Sequence, residues 1–477
     1  MTDVNVLLIV LDSVRAQNVS LYDYHRETTP FLEAYSDRAT VYTQARAPGI
    51  HSVASHASLW TGAHVEQHQV KRHEDELKPE TTIWETLNKR DYRTSIFTTN
   101  PVVAHSSNLA DVFDDRFTDE FVDNKSKLFP VAHSPADVVK HEGIAGNLRR
   151  CFQDDSTVKA ILNSAHHFYK KERGEATDTV TSSDLVDEFL SWSDDLTDPW
   201  AACINLMDAH FPYEPSPEHD LWGGEKLQAL HSEFQKPPAN EFIQGRHWWQ
   251  LEAFEHLYDG TIRQLDGFVE QIITGLKRND VHDDTIIIVT SDHGEGFGEI
   301  SRLTGRTRLV DHSWGIDEVL THVPLLVKYP DQTDPAIVDR LASLTEFPST
   351  VEAVLDGTAG TDSFVPEGPV VSSTDRLLEA DDGIFDGSSE AREDYYGPWR
   401  AVYEQTDEGV KKYAQRGTDS ITEVIDGTRV SEHIESGGEK MVELTFADLT
   451  PLDLKRSTQG EVTSEVEDRL SELGYLR

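Results

Sequence analysis

The run Asp284-Thr285-Ile286-Ile287-Ile288-Val289-Thr290-Ser291-Asp292-His293-Gly294-Glu295 decides the fold of this chain. Its unbroken β-branched residues predict a strand that is buried on both faces, as in a parallel sheet. Asp292 and His293 follow at the carboxyl end of this strand, where open α/β sheets bind ligands. The chain begins in the same way, because the apolar run at residues 6–11 stops at Asp12. We therefore expect two carboxylates to converge at one edge of a sheet.

The composition is that of a globular protein with a strongly acidic surface. The chain has 477 residues, 37% of them hydrophobic, which is enough for one large domain and a smaller one. Against 43 Lys and Arg stand 86 Asp and Glu, so the formal charge is −43. Such a charge is typical of halophilic proteins, whose surfaces are solvated at high salt. The same field repels nucleic acid and anionic lipid, so neither is expected as a partner.

Cysteine usage and the N-terminal residues predict a cytoplasmic protein. Cys151 and Cys203 are the two cysteines, which supports neither a disulfide framework nor a cysteine-based metal site. The first residues enter a strand without a basic signal-type segment, and no apolar run is long enough to span a bilayer.

Strand-like and helical segments alternate along residues 1–365, which predicts an α/β domain with a mainly parallel central sheet between helices. We predict strands at residues 94–100, 199–207 and 324–329, helices at 29–34 and 82–89, and a long amphipathic helix at 249–276. Residues 104–195 are assigned to a variable insertion. Residues 366–477 are predicted to form a smaller α+β subdomain, with an antiparallel hairpin around residues 407–409 and a closing helix at 462–473.

A short helix is predicted between Pro48-Gly49, which breaks the chain, and Gly62, which ends the helix. Its first turn holds Ser52. A hydroxyl there faces the positive end of the helix dipole, which favours an oxyanion or a bound anion. Taken alone, however, a serine at this position is more often a simple helix cap.

Five motifs in the same order resemble the sulfatase family of the alkaline phosphatase superfamily. They are the Asp12 strand end, Ser52 with residues 55–62, Leu257-Tyr258-Asp259 with Leu265-Asp266, residues 290–295, and His322-Val323-Pro324-Leu325-Leu326. Residues 348–357 are similar to the family's late core helix, and residues 469–476 to its C-terminal ending. The resemblance implies an alkaline-phosphatase-like sandwich with a small C-terminal antiparallel sheet, and an enzyme that hydrolyses sulfate esters.

The resemblance also implies a site. Asp12, Ser52, Asp292 and His293 match positions that bind a single divalent cation; Ca²⁺ is expected, with Mg²⁺ and Mn²⁺ as alternatives. Ser52 matches the nucleophile. His210 and His312 match positions that contact the sulfate or protonate the leaving oxygen.

The spacing of Asp208 and His210 predicts how many metal ions the site holds. Asp208 and His210 lie two residues apart, whereas relatives with two metals carry an Asp and a His four residues apart, so one metal is expected. His56 completes the predicted catalytic group of Ser52, His56, His210 and His312.

Three positions depart from the family pattern. Sulfatases oxidise a Cys or Ser to formylglycine within Cys/Ser-x-Pro/Ala-x-Arg, but His56 stands where that Arg would be. We therefore expect Ser52 to stay unmodified in at least part of the protein. Ser13 replaces a second carboxylate, and Asn100 stands where a Lys is usual. The anion pocket would then depend on the metal and the histidines.

Three functions stay open. The first is hydrolysis of a sulfate ester, on a small molecule or a glycan, through a covalent intermediate on residue 52. The second is a phosphoester hydrolase or phosphotransferase with an unmodified Ser52, because Ser52 followed by a Ser-His pair is also similar to phosphodiesterases and phosphoglycerol transferases. The third is a non-catalytic member that binds an anionic glycan. The retained nucleophile favours an enzyme.

Overall fold

The computed structural model describes residues 4–118, 151, 156–172, 180–234, 238–375, 377, 393–407 and 409–457. The strands are β1 Asn5–Leu11, β2 Thr40–Arg46, β3 Arg93–Thr98, β4 Asp115–Phe117, β5 Trp200–Leu206, β6 Thr285–Thr290, β7 Gly296–Ile300, β8 Arg308–Asp311, β9 Leu325–Lys328, β10 Ala336–Ser343, β11 Val370–Thr374, β12 Trp399–Thr406, β13 Gly409–Arg416, β14 Asp419–Asp426 and β15 Arg429–Ser436. The helices are α1 Pro30–Tyr35, α2 Ser52–Thr61, α3 Val65–His68, α4 Ile83–Asn88, α5 Thr157–Glu172, α6 Ser182–Asp194, α7 Glu225–His231, α8 Pro238–Ile243, α9 Trp248–Arg278, α10 Glu318–Thr321, α11 Phe347–Leu355 and α12 Glu439–Asp448.

The central sheet of the described chain has eight strands in the order β10-β2-β9-β6-β1-β5-β3-β4. Neighbouring strands run parallel, except that β9 runs antiparallel to both β6 and β2. The predicted mainly parallel α/β sheet is therefore confirmed. None of the described helices has the length and apolar character needed to cross a bilayer.

Helices cover both faces of this sheet. Along β1, Leu7 and Ile9 join a core cluster that contains the apolar residues of α9, while Leu8 and Val10 join a second cluster that contains those of α2. A strand whose two faces are both buried must be apolar at every position, because successive side chains point to opposite faces. This is why β1 and β6 are unbroken apolar runs.

Some elements were not predicted from the sequence. β2 and β10 form one end of the sheet, and β7 pairs with β8 as an antiparallel hairpin between Glu295 and His312. Within residues 104–195, β4 extends the central sheet beside β3, and the Leu190 side chain of α6 packs against Gly275 of α9. The assignment of that segment to a variable insertion stays a prediction.

The C-terminal part forms the expected antiparallel sheet, with the strand order β11-β12-β13-β14-β15. The predicted hairpin is β12 and β13. The sheet contacts the loop before α2, where the Ser372 Oγ donates to the Ala47 carbonyl at 2.6 Å and the Ser373 N–H donates to the Pro48 carbonyl at 3.0 Å. The helix predicted at 462–473 and the family-like ending at 469–476 lie outside the described residues. The boundary at residue 365 stays a prediction.

A buried ion cluster of Arg46, Glu318, His322 and Lys412 joins the two sheets. Arg46 ends β2 and Lys412 lies on β13, and their cationic nitrogens lie 2.9 Å and 3.1 Å from the Glu318 carboxylate. Burial alone would raise the pKa of Glu318, but Arg46, Lys412 and His322 lower this pKa to about 2. The carboxylate is therefore ionised and is shared as a counter-charge by two buried cations.

Replacing Glu318 by Gln should destabilise the protein by about 3–5 kcal/mol, because Arg46 and Lys412 would stay buried without the carboxylate that they share. Denaturant unfolding measures this difference. The contribution of the carboxylate is complete above its unfolded-state pKa of about 4.5 and is lost as the pH falls through about 2. The difference between wild type and E318Q should therefore shrink between these pH values. Asp362→Asn, in an exposed pair with Arg340, should cost less than about 1 kcal/mol; equal losses in both variants would contradict the prediction.

Candidate active site

The carboxyl ends of β1, β3, β5 and β6 meet at one edge of the central sheet. The register pairs Leu11 with Leu206 and Val10 with Thr290, so the residues that follow these strands become neighbours. Asp12 follows β1, Asn100 follows β3, His210 follows β5, and Asp292 follows β6. The sequence placed ligand-type residues at these ends, and the parallel topology brings them together.

Asp12, Asp292 and His293 form one buried group. One ligand atom from each residue lies within 4.8 Å of the others, and all three side chains are excluded from solvent. The His293 Nε2 lies 3.4 Å from Asp292 Oδ2 and 3.9 Å from Asp12 Oδ1. The structure therefore gathers the two carboxylates and the imidazole that were predicted as metal ligands. Two carboxylates and an imidazole could hold a metal ion.

The donor atoms of this group fit a cation. The Nδ1–H of His293 donates to the Gly294 carbonyl at 2.9 Å, which leaves the lone pair of Nε2 facing the carboxylates. Among the residues that the structure describes, this Nε2 and Asp292 Oδ2 find no hydrogen-bond partner. Buried polar atoms without a partner cost about 1–3 kcal/mol each. A cation between them would satisfy both.

The two carboxyl groups influence each other. Burial and the neighbouring Asp12 raise the pKa of Asp292. Burial would also raise the pKa of Asp12, but His293, His210 and His56 lower it below the ordinary value. Two carboxylates this close repel when both are ionised, and a bound cation removes that penalty.

A set of hydrogen bonds holds the two carboxylates in place. Ser13, with a left-handed backbone at φ 66°, donates its hydroxyl to Asp12 Oδ1 at 3.0 Å and its N–H to Asp292 Oδ1 at 3.3 Å. Asn205 donates to Asp12 Oδ2 at 3.3 Å. Tyr258, from the α9 motif, donates to the Ser13 carbonyl at 2.8 Å. The residue that replaces a family carboxylate therefore bridges the two that remain.

Ser52 is the first residue of α2 and is buried. The N-cap of this helix is His51, whose side chain makes no capping bond, so Ser52 is not the helix cap. Its Oγ lies 3.1 Å from the Nδ2 of Asn100, which also donates to Asp12 Oδ2 at 2.8 Å. One amide thus joins the predicted nucleophile to a predicted metal ligand.

His56 lies one turn further along α2 and is also buried. Its Nδ1–H donates to the Ser52 carbonyl at 2.9 Å and lies 3.6 Å from Asp292 Oδ2. Its ring packs edge-on against Trp60, with centroids 4.9 Å apart. His56 is thus next to the site, in contact with the backbone of the nucleophile. Its catalytic role stays a prediction.

His210 and His312 lie together beside the metal-ligand group. Their ring centroids are 5.2 Å apart, and those of His312 and His293 are 4.3 Å apart. The Nδ1–H of His210 donates to the Phe211 carbonyl at 2.8 Å, which turns Nε2 away from the backbone. The structure therefore brings the two histidines that were predicted to contact the substrate into one row with His293.

Sequence reasoning did not assign Glu295, although it ends the run quoted first. Its carboxyl oxygen Oε2 lies 3.3 Å from Nδ1 of His312. Burial and the neighbouring Asp311 raise the pKa of Glu295 well above its ordinary value. A glutamate after Asp-His-Gly gives no signal of this contact, which depends on the β7–β8 hairpin returning His312 to the site.

The sequence matches a known protein family. The family model described as Sulfatase matches residues 4–357. No curated protein matches the sequence.

Several solved structures share the fold at low identity. The phosphonate monoester hydrolase of Agrobacterium radiobacter has a TM-score of 0.57 and 17% identity over 92% of this chain and 90% of its own. The phosphonate monoester hydrolase from Silicibacter pomeroyi has a TM-score of 0.54 and 16% identity over 94% of this chain and 93% of its own. A 2-O GAG sulfatase has a TM-score of 0.55 and 13% identity over 94% of this chain and 90% of its own. At these identities the likeness concerns the fold alone.

Proposed function

Because the chain belongs to the sulfatase family, we propose that it is a metal-dependent hydrolase that cleaves a sulfate ester through a covalent intermediate on residue 52. The observation that supports this best is the buried group of Asp12, Asp292 and His293, tied to Ser52 by the amide of Asn100. A protein that only binds an anion needs no hydroxyl at this point.

Asp12, Asp292 and His293 would hold the cation, with Ser52 as the further ligand implied by the family. When bound, a hard divalent cation polarises an ester oxygen and lowers the pKa of a hydroxyl beside it. Ca²⁺ is our first candidate for a site rich in carboxylate oxygens. The imidazole nitrogen keeps Mn²⁺ as an alternative, together with Mg²⁺.

Other side chains of the site would supply the nucleophile and the proton for the leaving oxygen. Ser52 gives its hydroxyl proton to water, its Oγ forms a bond to the sulfur atom, and the bond from sulfur to the leaving oxygen breaks. His312, across the pocket with His210, gives a proton to that oxygen, so the alcohol leaves neutral. Water then hydrolyses the ester on residue 52. Burial of these groups keeps their electrostatic interactions strong.

A phosphate ester is the second candidate, as substrate of a hydrolase or a phosphotransferase. His56, in place of the Arg of the formylglycine motif, supports an unmodified serine. A serine-bound sulfate must be released by attack of water, which is slow for sulfate and feasible for phosphate.

A side-by-side assay tests both candidates. The purified protein, loaded in turn with Ca²⁺, Mg²⁺ and Mn²⁺, is given an aryl sulfate, an aryl phosphate monoester and an aryl phosphodiester at low and high salt. We expect the sulfate to be cleaved fastest, because the family match extends over residues 4–357 and the contrary argument rests on His56 alone, and we expect a chelator to stop turnover. Faster cleavage of either phosphoester would favour the second candidate. Metal binding without turnover of any ester would favour the anionic-glycan-binding alternative.

His312→Gln should lower kcat by roughly 10²- to 10⁴-fold for esters with poor leaving groups, because these need a proton on the departing oxygen. Activated aryl esters do not need this proton and should lose less than about tenfold. Comparing an alkyl with a nitrophenyl ester measures the difference. Equal losses on both substrates would show that His312 only binds the anion.

A further inference from the structure

We propose that Asn100 is a catalytic residue of this site. Its amide holds Ser52 Oγ in line for attack and donates a hydrogen bond to the Ser52 oxyanion as that anion forms. The inference rests on the proposed function and adds a residue to it. Asn100 is fully buried and follows β3 at the carboxyl edge of the sheet. It occupies the position where the family pattern has a Lys.

The orientation of the Asn100 amide is fixed by its surroundings. Its Oδ1 accepts the backbone N–H of Val102 at 3.0 Å and that of Val103 at 3.4 Å. Only the NH₂ end can therefore face the site. Its own backbone N–H donates to Thr98 Oγ1 at 3.0 Å, which anchors the residue to the end of β3.

Both contacts of Asn100 Nδ2 are with oxygens of the site. One is Asp12 Oδ2 at 2.8 Å and the other is Ser52 Oγ at 3.1 Å. Carboxylate oxygens only accept hydrogen bonds when ionised, so the amide donates to Asp12. With its second N–H it donates to Ser52, whose own proton then points away from Asn100. When Ser52 loses that proton, the bond from Asn100 becomes charge-assisted and shorter.

A preorganised donor aimed at a developing negative charge is worth roughly 10²- to 10³-fold in kcat. Asn100 supplies such a donor without adding a positive charge, unlike the Lys of the family pattern. It also spans the nucleophile and a metal ligand, so it fixes the distance between them. A purely structural role would need only the bonds from Oδ1 to the backbone of Val102 and Val103.

Two variants separate the catalytic from the structural role. Asn100→Asp keeps an oxygen for the N–H groups of Val102 and Val103 but removes the donor to Ser52. Asn100→Ala removes both. With the metal-loaded full chain, we expect kcat to fall roughly 10²- to 10³-fold in each variant, KM to change less than about threefold, and metal content to stay at one per chain. A kcat within threefold of wild type in N100D, or loss of metal or folding in both variants, would overturn the proposal.

A second readout does not depend on turnover. An alkyl fluorophosphonate probe labels an activated serine. The bond from Ser52 Oγ to phosphorus forms, the P–F bond breaks, and fluoride leaves with the hydroxyl proton. Mass spectrometry of the tryptic peptide 47–71 measures the rate. We expect labelling of N100D to be at least about tenfold slower than wild type.

This readout also separates the two hypotheses. If wild type cleaves no ester but its Ser52 is labelled faster than in N100D, the proposed function fails and the role of Asn100 stands. If wild type and N100D are labelled at the same rate, the role of Asn100 is wrong, whatever the substrate. A wild-type protein that cleaves esters but resists the probe would overturn the role of Asn100 alone, and one that neither cleaves an ester nor reacts with the probe would overturn both.

Discussion

An Asp292→Ala protein should stay folded, lose its divalent cation and lose turnover of every ester. Asp292 provides Oδ2, one of the buried ligand atoms for which the described chain offers no hydrogen-bond partner. Removing it leaves Asp12 and His293 as the remaining members of the group. Replacing residues that only support a ligand costs roughly 10- to 100-fold in metal affinity, so removing a ligand itself should cost more.

Metal content and thermal unfolding measure this effect together. The wild-type Tm should fall when a chelator is added, because a cation that binds only the folded state stabilises it. The Tm of D292A should not respond. Asp284→Ala is the matched control, since Asp284 is an exposed aspartate immediately before β6; it should keep both the metal and the chelator response. One cation per chain in a folded D292A protein would show that the metal site lies elsewhere.

Ser52→Ala should abolish turnover, with a loss of roughly 10⁴-fold or more in kcat, because no other atom can form the covalent intermediate. Asp12, Asp292 and His293 remain, so one cation per chain should still bind, with lower affinity. Initial rates and metal content of S52A measure the two effects. Substantial turnover by S52A would exclude a covalent intermediate on residue 52.

The control for S52A is Ser55→Ala, the same change one turn further along α2. Ser55 is fully buried, and its Oγ has no hydrogen-bond partner among the described residues. Its removal should leave kcat within about threefold and should not lower stability, since no hydrogen bond is broken.

The tryptic peptide 47–71 of the wild-type protein should have the mass expected for an unmodified Ser52. A peptide lighter by two hydrogens, or a trapped hydrazone, would reveal formylglycine and contradict that prediction.

The sequence predicts the parts of this molecule whose cause is local. Asp12 and Asp292 could be assigned because each ends an unbroken apolar run, and parallel strands align such ends at one edge. α9 could be predicted because its apolar residues recur with helical spacing. β10 could not, because exposed charges and a bulge between Val338 and Leu341 break its pattern.

The contacts that complete the site depend on residues distant in sequence. The amide of Asn100 gains its role from Ser52 and Asp12, which lie on other elements. Glu295 meets His312 only through the β7–β8 hairpin. The sequence shows that Asn100 departs from the family pattern. Its contacts with Ser52 and Asp12 follow from the three-dimensional arrangement.

The position of β1 between β5 and β6 has a consequence for how the protein is made. Asp12 is synthesised early, whereas β5 and β6, which flank β1, are synthesised much later. Until both have left the ribosome, the hydrogen-bonding edges of β1 stay unpaired by these strands and Asp12 cannot meet Asp292. Pairings this distant in sequence fold slowly, and their exposed strand edges invite aggregation. The metal centre therefore cannot assemble before β6 has been synthesised, and a bound cation stabilises only chains in which β1 and β6 have paired.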